Sequence, residues 1–291
     1  MALTDTTNTN LYEKVTSEFA LQALFAKLAP ITDFAHNFND LQDRKGAAIV
    51  VPTFNLSAAA EFNADTNNYC GGTNEADAAT INLDKHIVKS FVYTDYAEMF
   101  TNVNWLRDTA IAIGDSLGRG IYNTVIAMFN DTNVTQTTTA DLSTLEDFTG
   151  LIEDVYANNL DLGETVLMLS PAYYGNLLGV LKYAGYGAVD PIQDGRVPSF
   201  IGFRSVVCAP GLPATWKGVL ADRNSLGIAS RYLAPMPGAG YSETWKATDT
   251  NSGLTIGYRV GQQICSGYRF IAGEALFGAE MLRPAGFVSI K

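Results

Sequence analysis

Only two histidines occur in this 291-residue chain, His36 and His86. His36 lies in DFAHNFND, where Asp33 and Asp40 offer carboxylates to a cation, and His86 lies in LDKHIVK. Neither has a ligand partner three or four residues on, the spacing that puts two metal ligands on one helix face. Neither stretch reads as a metal centre, and the one around His36 reads as a solvated loop. Carboxylate pairs stand at Glu153-Asp154 and at Asp161 with Glu164. Two carboxyls serve as acid and base when their surroundings drive their proton affinities apart. These sit on a polar helix face and in a turn, where solvation keeps them alike. Tyr173, Tyr174, Tyr183 and Tyr186 have the rings to line a sugar site, or to pack against a neighbouring chain, since tyrosine is enriched at interfaces. The second reading is preferred.

Nucleophilic and phosphate-binding signatures are missing. No GxSxG elbow is present. Ser170 precedes Pro171 at the end of an apolar run, which suits a cap for a following helix. Gly114-Asp-Ser-Leu-Gly-Arg-Gly120 lacks the spacing of a dinucleotide fingerprint and falls inside a helical pattern. Cys70, Cys208 and Cys265 are odd in number and far apart, with no CxxC pair, so a reducing compartment is expected. Cys208 and Cys265 read as small packing residues in apolar runs; Cys70 sits in a glycine-rich turn. The residues thus predict no catalytic, cofactor-binding or metal-binding site, and no enzyme.

Charge excludes further classes. The net charge is −11, with 17% charged and 47% hydrophobic residues. No run of Lys and Arg exceeds Arg44-Lys45, whereas gripping nucleic acid requires clustered cations. An acidic wall does the opposite and repels a polyanion. The amino-terminal MALTDTTNTN is not a signal peptide, and no apolar run is long enough for a conventional membrane-spanning helix. The length suffices for one large domain or two smaller ones.

The elements that position these residues follow from periodicity. Residues 1–10 read as extended or disordered. Leu11, Val15, Phe19, Leu24 and Leu28 predict an amphipathic helix ended by Pro30. Residues 46–52 predict a strand, and alternation over 79–93 predicts one second long strand after a Ser/Ala/Asn-rich stretch. Together they make a β-arm with a loose tip. Within 95–129, Leu106, Ala110, Ile113, Leu117, Ile121, Val125 and Met128 recur at helical spacing. At ~1.5 Å per residue they predict a rod of roughly 40 Å. Its glycines 114, 118 and 120 imply close contact with another backbone element or a slight bend. Residues 130–142 read as a polar linker, and 143–159 as a helix capped by Ser143 or Thr144.

The stretch 161–213 carries the most specific pattern: a buried strand over 166–169, Ser170-Pro171, a short helix over 172–181 bearing Tyr-Tyr-Gly-Asn-Leu-Leu, a Gly/Tyr/Pro-rich loop, a second strand over 202–207, and a Pro210-Gly-Leu-Pro213 turn. Short strands are then expected at 218–220 and 225–229, joined by Asp222-Arg-Asn224. A loop or irregular hairpin follows over 234–253, then strands over 254–264, 268–277 and 280–290 in a closing sheet beneath the long helix.

In this order of elements the chain resembles the major capsid proteins of tailed bacteriophages, the Hong Kong 97-type fold. The resemblance implies an α+β architecture with an N-terminal arm (1–45), an extended β-loop (46–95), a peripheral domain with a spine helix (96–142), an axial α/β domain (143–253) and closing peripheral strands (254–291). It implies a non-enzymatic subunit that forms pentamers and hexamers of an icosahedral shell enclosing double-stranded DNA. Its expected partners are further copies of itself, separate scaffolding and portal proteins, possible decoration proteins, and packaged DNA held without sequence-specific binding. No cofactor and no membrane are expected, and assembly would take place in the host cytoplasm before residence in the virion. A fused scaffolding segment is not expected ahead of the first helix. Covalent cross-linking is not expected either, because the loop has no lysine between Lys45 and Lys85. Phe54 and Phe62 are the expected loop contacts to a neighbour, and Tyr183 and Tyr186 the expected contacts near the capsomer axis. Two alternatives stand beside this reading: an encapsulin-type nanocompartment of the same fold, and a soluble hydrolase built on the carboxylates and tyrosines.

Overall fold

The computed structural model describes residues 28, 31–39, 48–55, 75–94, 105–183, 197, 200–235, 241–248, 253–263 and 268–291. The expected helix over 11–28 lies outside them except for Leu28, which is buried. Helix α1 is Trp105–Ile126, with 22 residues and a length of roughly 33 Å. Ala110, Ile113, Leu117, Ile121 and Val125 form its stripe, and all are buried. It is shorter than the sequence predicts at its C-terminal end. There Met128 and Phe129 donate to Val125 and Ile126 in tight turns instead of extending the helix.

The strands among the described residues form three sheets. The first contains β1 (Ala35–Asn37), β4 (Lys85–Thr94), β9 (Leu226–Arg231), β10 (Tyr241–Thr248), β11 (Thr255–Gln263) and β12 (Tyr268–Met281). Its order is β1-β9-β12-β11-β10, with β4 also paired to β12. The second contains β5 (Gln136–Thr138), β6 (Thr165–Leu169), β7 (Ser205–Cys208), β8 (Gly218–Asp222) and β13 (Phe287–Ile290), in the order β5-β13-β8-β6-β7. The third is a two-stranded hairpin of β2 (Ala48–Asn55) and β3 (Glu75–Asn82).

Alternation explains how the second sheet serves two cores. Val166, Met168, Val219, Ala221 and Phe287 join the core under α1. Leu167, Leu169, Leu220, Val288 and Ile290 point the other way, into a core closed by α2 (Leu145–Ala157) and α3 (Pro171–Tyr183). Strands buried on both faces read as unbroken apolar runs. Helix α2 begins with a capping box in which the Thr144 side chain accepts from Asp147 N–H and the Asp147 side chain accepts from Thr144 N–H. Helix α3 opens with Pro171 at its first position, and Tyr174 N–H donates to Ser170 O at 2.9 Å.

Several expectations are corrected. The single strand over 79–93 is two strands that break at Leu83-Asp84: β3 pairs with β2, and β4 pairs with β12. Ile81, Leu83 and Tyr93 are nevertheless all buried. Of the other expected inward positions Ile87 is half-buried and Phe91 is exposed, so alternation indicates the face a residue takes and not its hydrogen-bonding partner. His36 is not in a loop: it lies in β1, paired with Gly227. The linker over 130–142 contains β5, which pairs in parallel with β13. The strand expected from Gly202 starts at Ser205, because Ile201 and Gly202 take φ values of 51° and 88° and form a turn. The strands either side of Asp222-Arg-Asn224 do not pair with each other; β8 and β9 lie in different sheets. The segment over 234–253 contains β10, an antiparallel partner of β11 with a bulge between Tyr241 and Glu243. The last strand, β13, joins the second sheet and not the six-stranded sheet of β11 and β12, though its Phe287 still reaches the core under α1.

Candidate assembly surfaces

Among the described residues, the candidate histidines and carboxylates do not converge on one site. His36 packs edge-on against Phe38, with ring centroids 4.7 Å apart, while Asp40 lies outside the described residues. His86 lies on β4, 3.3 Å from Glu274 on β12. Glu153 is exposed on α2, and Glu164 pairs with Arg204 at 3.4 Å. Among the described residues, no three His, Cys, Asp or Glu side chains cluster in a way that could hold a metal ion. No helix among them is long and apolar enough to cross a membrane.

Tyr174 belongs to the interior of its own chain, against the expectation that the tyrosine cluster faces a neighbour. It is buried, and its hydroxyl accepts from Val197 N–H at 3.1 Å. Tyr173 is partly buried against the same core. Tyr183 is the last residue of α3, and its side chain lies outside the described residues, as do Tyr186, Phe62, Cys70 and Cys265. Cys208 lies half-buried in β7, where burial pushes its thiol above the ordinary range.

The β2–β3 hairpin is built to dock on one face only. Ile49, Val51, Ile81 and Leu83 point inward and bury a small core with Ala229, packed by Phe38, Leu276 and Leu282. Val50 and Pro52 alternate with them and are exposed, Val50 by 58%. Register places Thr80 opposite Val50 and Ala78 opposite Pro52. None of these four outward positions carries a charge. Phe54 continues the series along β2, with its backbone paired to Ala76. On β4, Val88 and Val92 are exposed by 52% and 55%. Exposed apolar side chains in rows, unlike scattered ones, mark interaction surfaces.

Sequence reasoning missed one buried charge network. Glu274 is buried on β12, and its Oε1 accepts from Arg259 Nε of β11 at 2.8 Å. Arg259 Nη1 donates to Tyr241 Oη at 3.3 Å, and the guanidinium lies 5.2 Å from that ring's centroid. Burial works against the Arg259 charge, but the hydrogen bonds to Tyr241 and Glu274 hold it above its ordinary proton affinity. The available signal was Arg259 as the one charge in the run 255–263, and Glu274 as the one charge in the run 270–279.

A family model described as phage capsid protein matches residues 77–264, more than half of the chain. The chain belongs to the phage capsid protein family. No curated protein matches its sequence. Solved capsids share the fold at low identity. The capsid structure of the cyanophage P-SCSP1u is 15% identical, covering 89% of this chain and 86% of that one, with a TM-score of 0.60. The mature capsid of bacteriophage PhiM1 is 14% identical, with coverage of 89% and 85% and a TM-score of 0.56. A virus-like particle from Pyrococcus furiosus is 12% identical, with coverage of 96% and 98% and a TM-score of 0.54. The chain therefore has the tailed-phage capsid fold and is a major capsid shell protein, a component of the virion. A nanocompartment shell is the less direct fit to a phage capsid family match.

Proposed function

We propose that this capsid protein assembles into pentamers and hexamers that close an icosahedral shell around double-stranded DNA, and that it catalyses no reaction. The observation that carries this is the hairpin's outward face, where Val50, Pro52, Ala78 and Thr80 present no charge on a chain of net charge −11. Alternation puts position 54 on the same side. An apolar face held out from an acidic body suits a neighbouring copy. Head-to-tail contacts between unlike patches generate rings when the rotation closes. Phe54 and Phe62 are assigned to this loop contact, and Tyr183 and Tyr186 to the capsomer axis.

The acidic balance supports enclosure of DNA without specific binding, because like charge keeps the polymer off the wall. Separate scaffolding, portal and decoration proteins, and assembly in the host cytoplasm, complete the reading. Residues 1–45 are assigned to the arm, 46–95 to the extended loop and 96–142 to the spine. The axial unit is assigned to 143–222, with β13 returning to it, because β9 and β10 hydrogen-bond into the six-stranded sheet.

Sedimentation of the Val50→Asp variant tests the hairpin contact. The variant is expected to fold with an unchanged circular dichroism spectrum and remain as unassembled capsomers or subunits. Normal shells from Val50→Asp would remove this face from the assembly contact.

A further inference from the structure

Strand β4 is the one described helix or strand that carries two cations, Lys85 and Lys89, and no acid. Lys89 is exposed and pairs with no acid among the described residues. Lys85 meets Asp84, its neighbour in sequence, at 3.1 Å with both side chains more than half exposed, and such a pair holds little. The strand pairs with β12 on one side. Over Lys85–Ser90 no described residue pairs with its outer edge. A strand edge presents side chains of both faces. Here these are the lysines, about 13 Å apart along the strand, and the exposed Val88 and Val92.

Helix α2 has the opposite character. Between Arg119 and Lys182 the chain holds eight acidic residues and no Lys or Arg. Asp131, Asp141 and Glu164 find cations within the fold, in Lys291, Lys217 and Arg204. Glu146 and Glu153 do not: both are exposed on α2, and neither pairs with a cation among the described residues. Their seven-residue spacing sets them roughly 10 Å apart on one helix face. Gly150 lies between them, and a Cβ there would meet nothing within 4 Å. An interior glycine weakens a helix, and no close packing among the described residues explains this one. Tyr156, exposed by 62%, follows on the same side.

Resting on the shell reading above, we propose that the outer edge of β4 docks on α2 of a second copy. Lys85 and Lys89 meet Glu146 and Glu153, the valines cover Tyr156, and Gly150 lets the strand edge approach the helix. Copies that each carry a net charge of −11 repel one another, so a contact between them needs opposite charge at the point of touch. This chain supplies both signs on separate surfaces, since β4 belongs to the first sheet and α2 packs on the second. Joining unlike patches makes the contact head-to-tail, the kind that generates rings.

Charge exchange tests the contact, read as the assembled fraction of the full chain in sedimentation velocity. The variants are Glu146→Lys with Glu153→Lys, Lys85→Glu with Lys89→Glu, and all four together. All four side chains are exposed, so the unfolding midpoint of each unassembled variant is expected to stay near that of the wild type. Each reversed pair is expected to lower the assembled fraction roughly tenfold or more, and the four-fold exchange to restore most of it. Glu146→Gln with Glu153→Gln keeps the side-chain shape and is expected to weaken assembly in the same direction, so a folding fault in the lysine pair cannot imitate the result. Wild-type assembly by both reversed pairs would overturn this contact alone. A loss that the four-fold exchange fails to restore would also overturn it and assign the acids of α2 to a partner other than a second copy. A wild-type chain that forms no shells or rings would instead overturn the shell reading itself, and this contact with it.

Discussion

Gly286 and Ser225 pack so closely that a Cβ on the glycine would overlap the serine Oγ and lie 2.5 Å from its Cβ. Ser225 follows β8 and Gly286 precedes β13, so the contact fuses two of the places where the chain crosses between the large sheets. Ser225 also accepts at its carbonyl from Leu282 N–H at 2.8 Å and Arg283 N–H at 3.2 Å. Its hydroxyl bonds Asp222 Oδ2 at 2.9 Å.

Gly286→Ala is therefore expected to cost about 1–3 kcal/mol, the range for overpacking a filled site. Ser225→Gly in the same chain removes the colliding atoms, so the double variant is expected to be more stable than the sum of the two single changes predicts. Urea unfolding of the unassembled subunit measures this. Additive losses would mean that the two crossovers are not coupled through this contact.

The Glu274–Arg259 pair gives a second expectation. Its side chains are 8% and 19% exposed, so removing one partner leaves an uncompensated charge in the interior. Arg259→Leu is expected to destabilise by about 3–5 kcal/mol, and adding Glu274→Leu to restore much of the loss. Equal instability of the single and double variants, again by urea unfolding, would contradict this account of β11 and β12.

Two aspartates predict opposite responses to pH. Hydrogen bonds from Thr144 N–H and Ser143 N–H hold the Asp147 carboxyl below its ordinary 3.8. A group lowered on folding contributes stability above its unfolded value, and that contribution is lost as pH falls through the folded value. Asp147→Asn should therefore flatten the acid limb of the stability curve below about pH 4. Burial holds Asp33 above 3.8, with Arg204 and Arg223 opposing the rise. A raised carboxyl favours folding most in acid, and loses that contribution as pH rises through its folded value. Asp33→Asn should be more stable than wild type at neutral pH, with the difference vanishing in acid. Unfolding midpoints across the acid range check both signs; a parallel shift at every pH would contradict them.

Much of this architecture is legible in the sequence, for identifiable reasons. The α1 stripe from Ala110 to Val125 repeats at helical spacing and buries every member. The run around Leu167 and Leu169 is apolar on both faces because two cores need it. Gly120 does mark a contact, since a Cβ there would lie 3.1 Å from Ile87 Cδ1; the contact is a side chain of β4, not another backbone. What periodicity cannot carry is partnership. The break at Leu83-Asp84 leaves the apolar alternation of the sequence in phase while the pairing partner changes from β2 to β12. The three residues of β5 are too short and polar to announce a strand; they exist because Val288 to Ile290 pair with them. Tyr173 and Tyr174 are adjacent and alike in sequence, and only the fold shows that the hydroxyl of Tyr174 is hydrogen-bonded to Val197 N–H.

Electron microscopy of the purified chain, expressed with and without its neighbouring open reading frames, tests the central claim most directly. Closed shells or rings of five and six subunits are the expected result, in at least one of these conditions. A uniform small particle in every condition would contradict the reading of this chain as a shell-forming subunit.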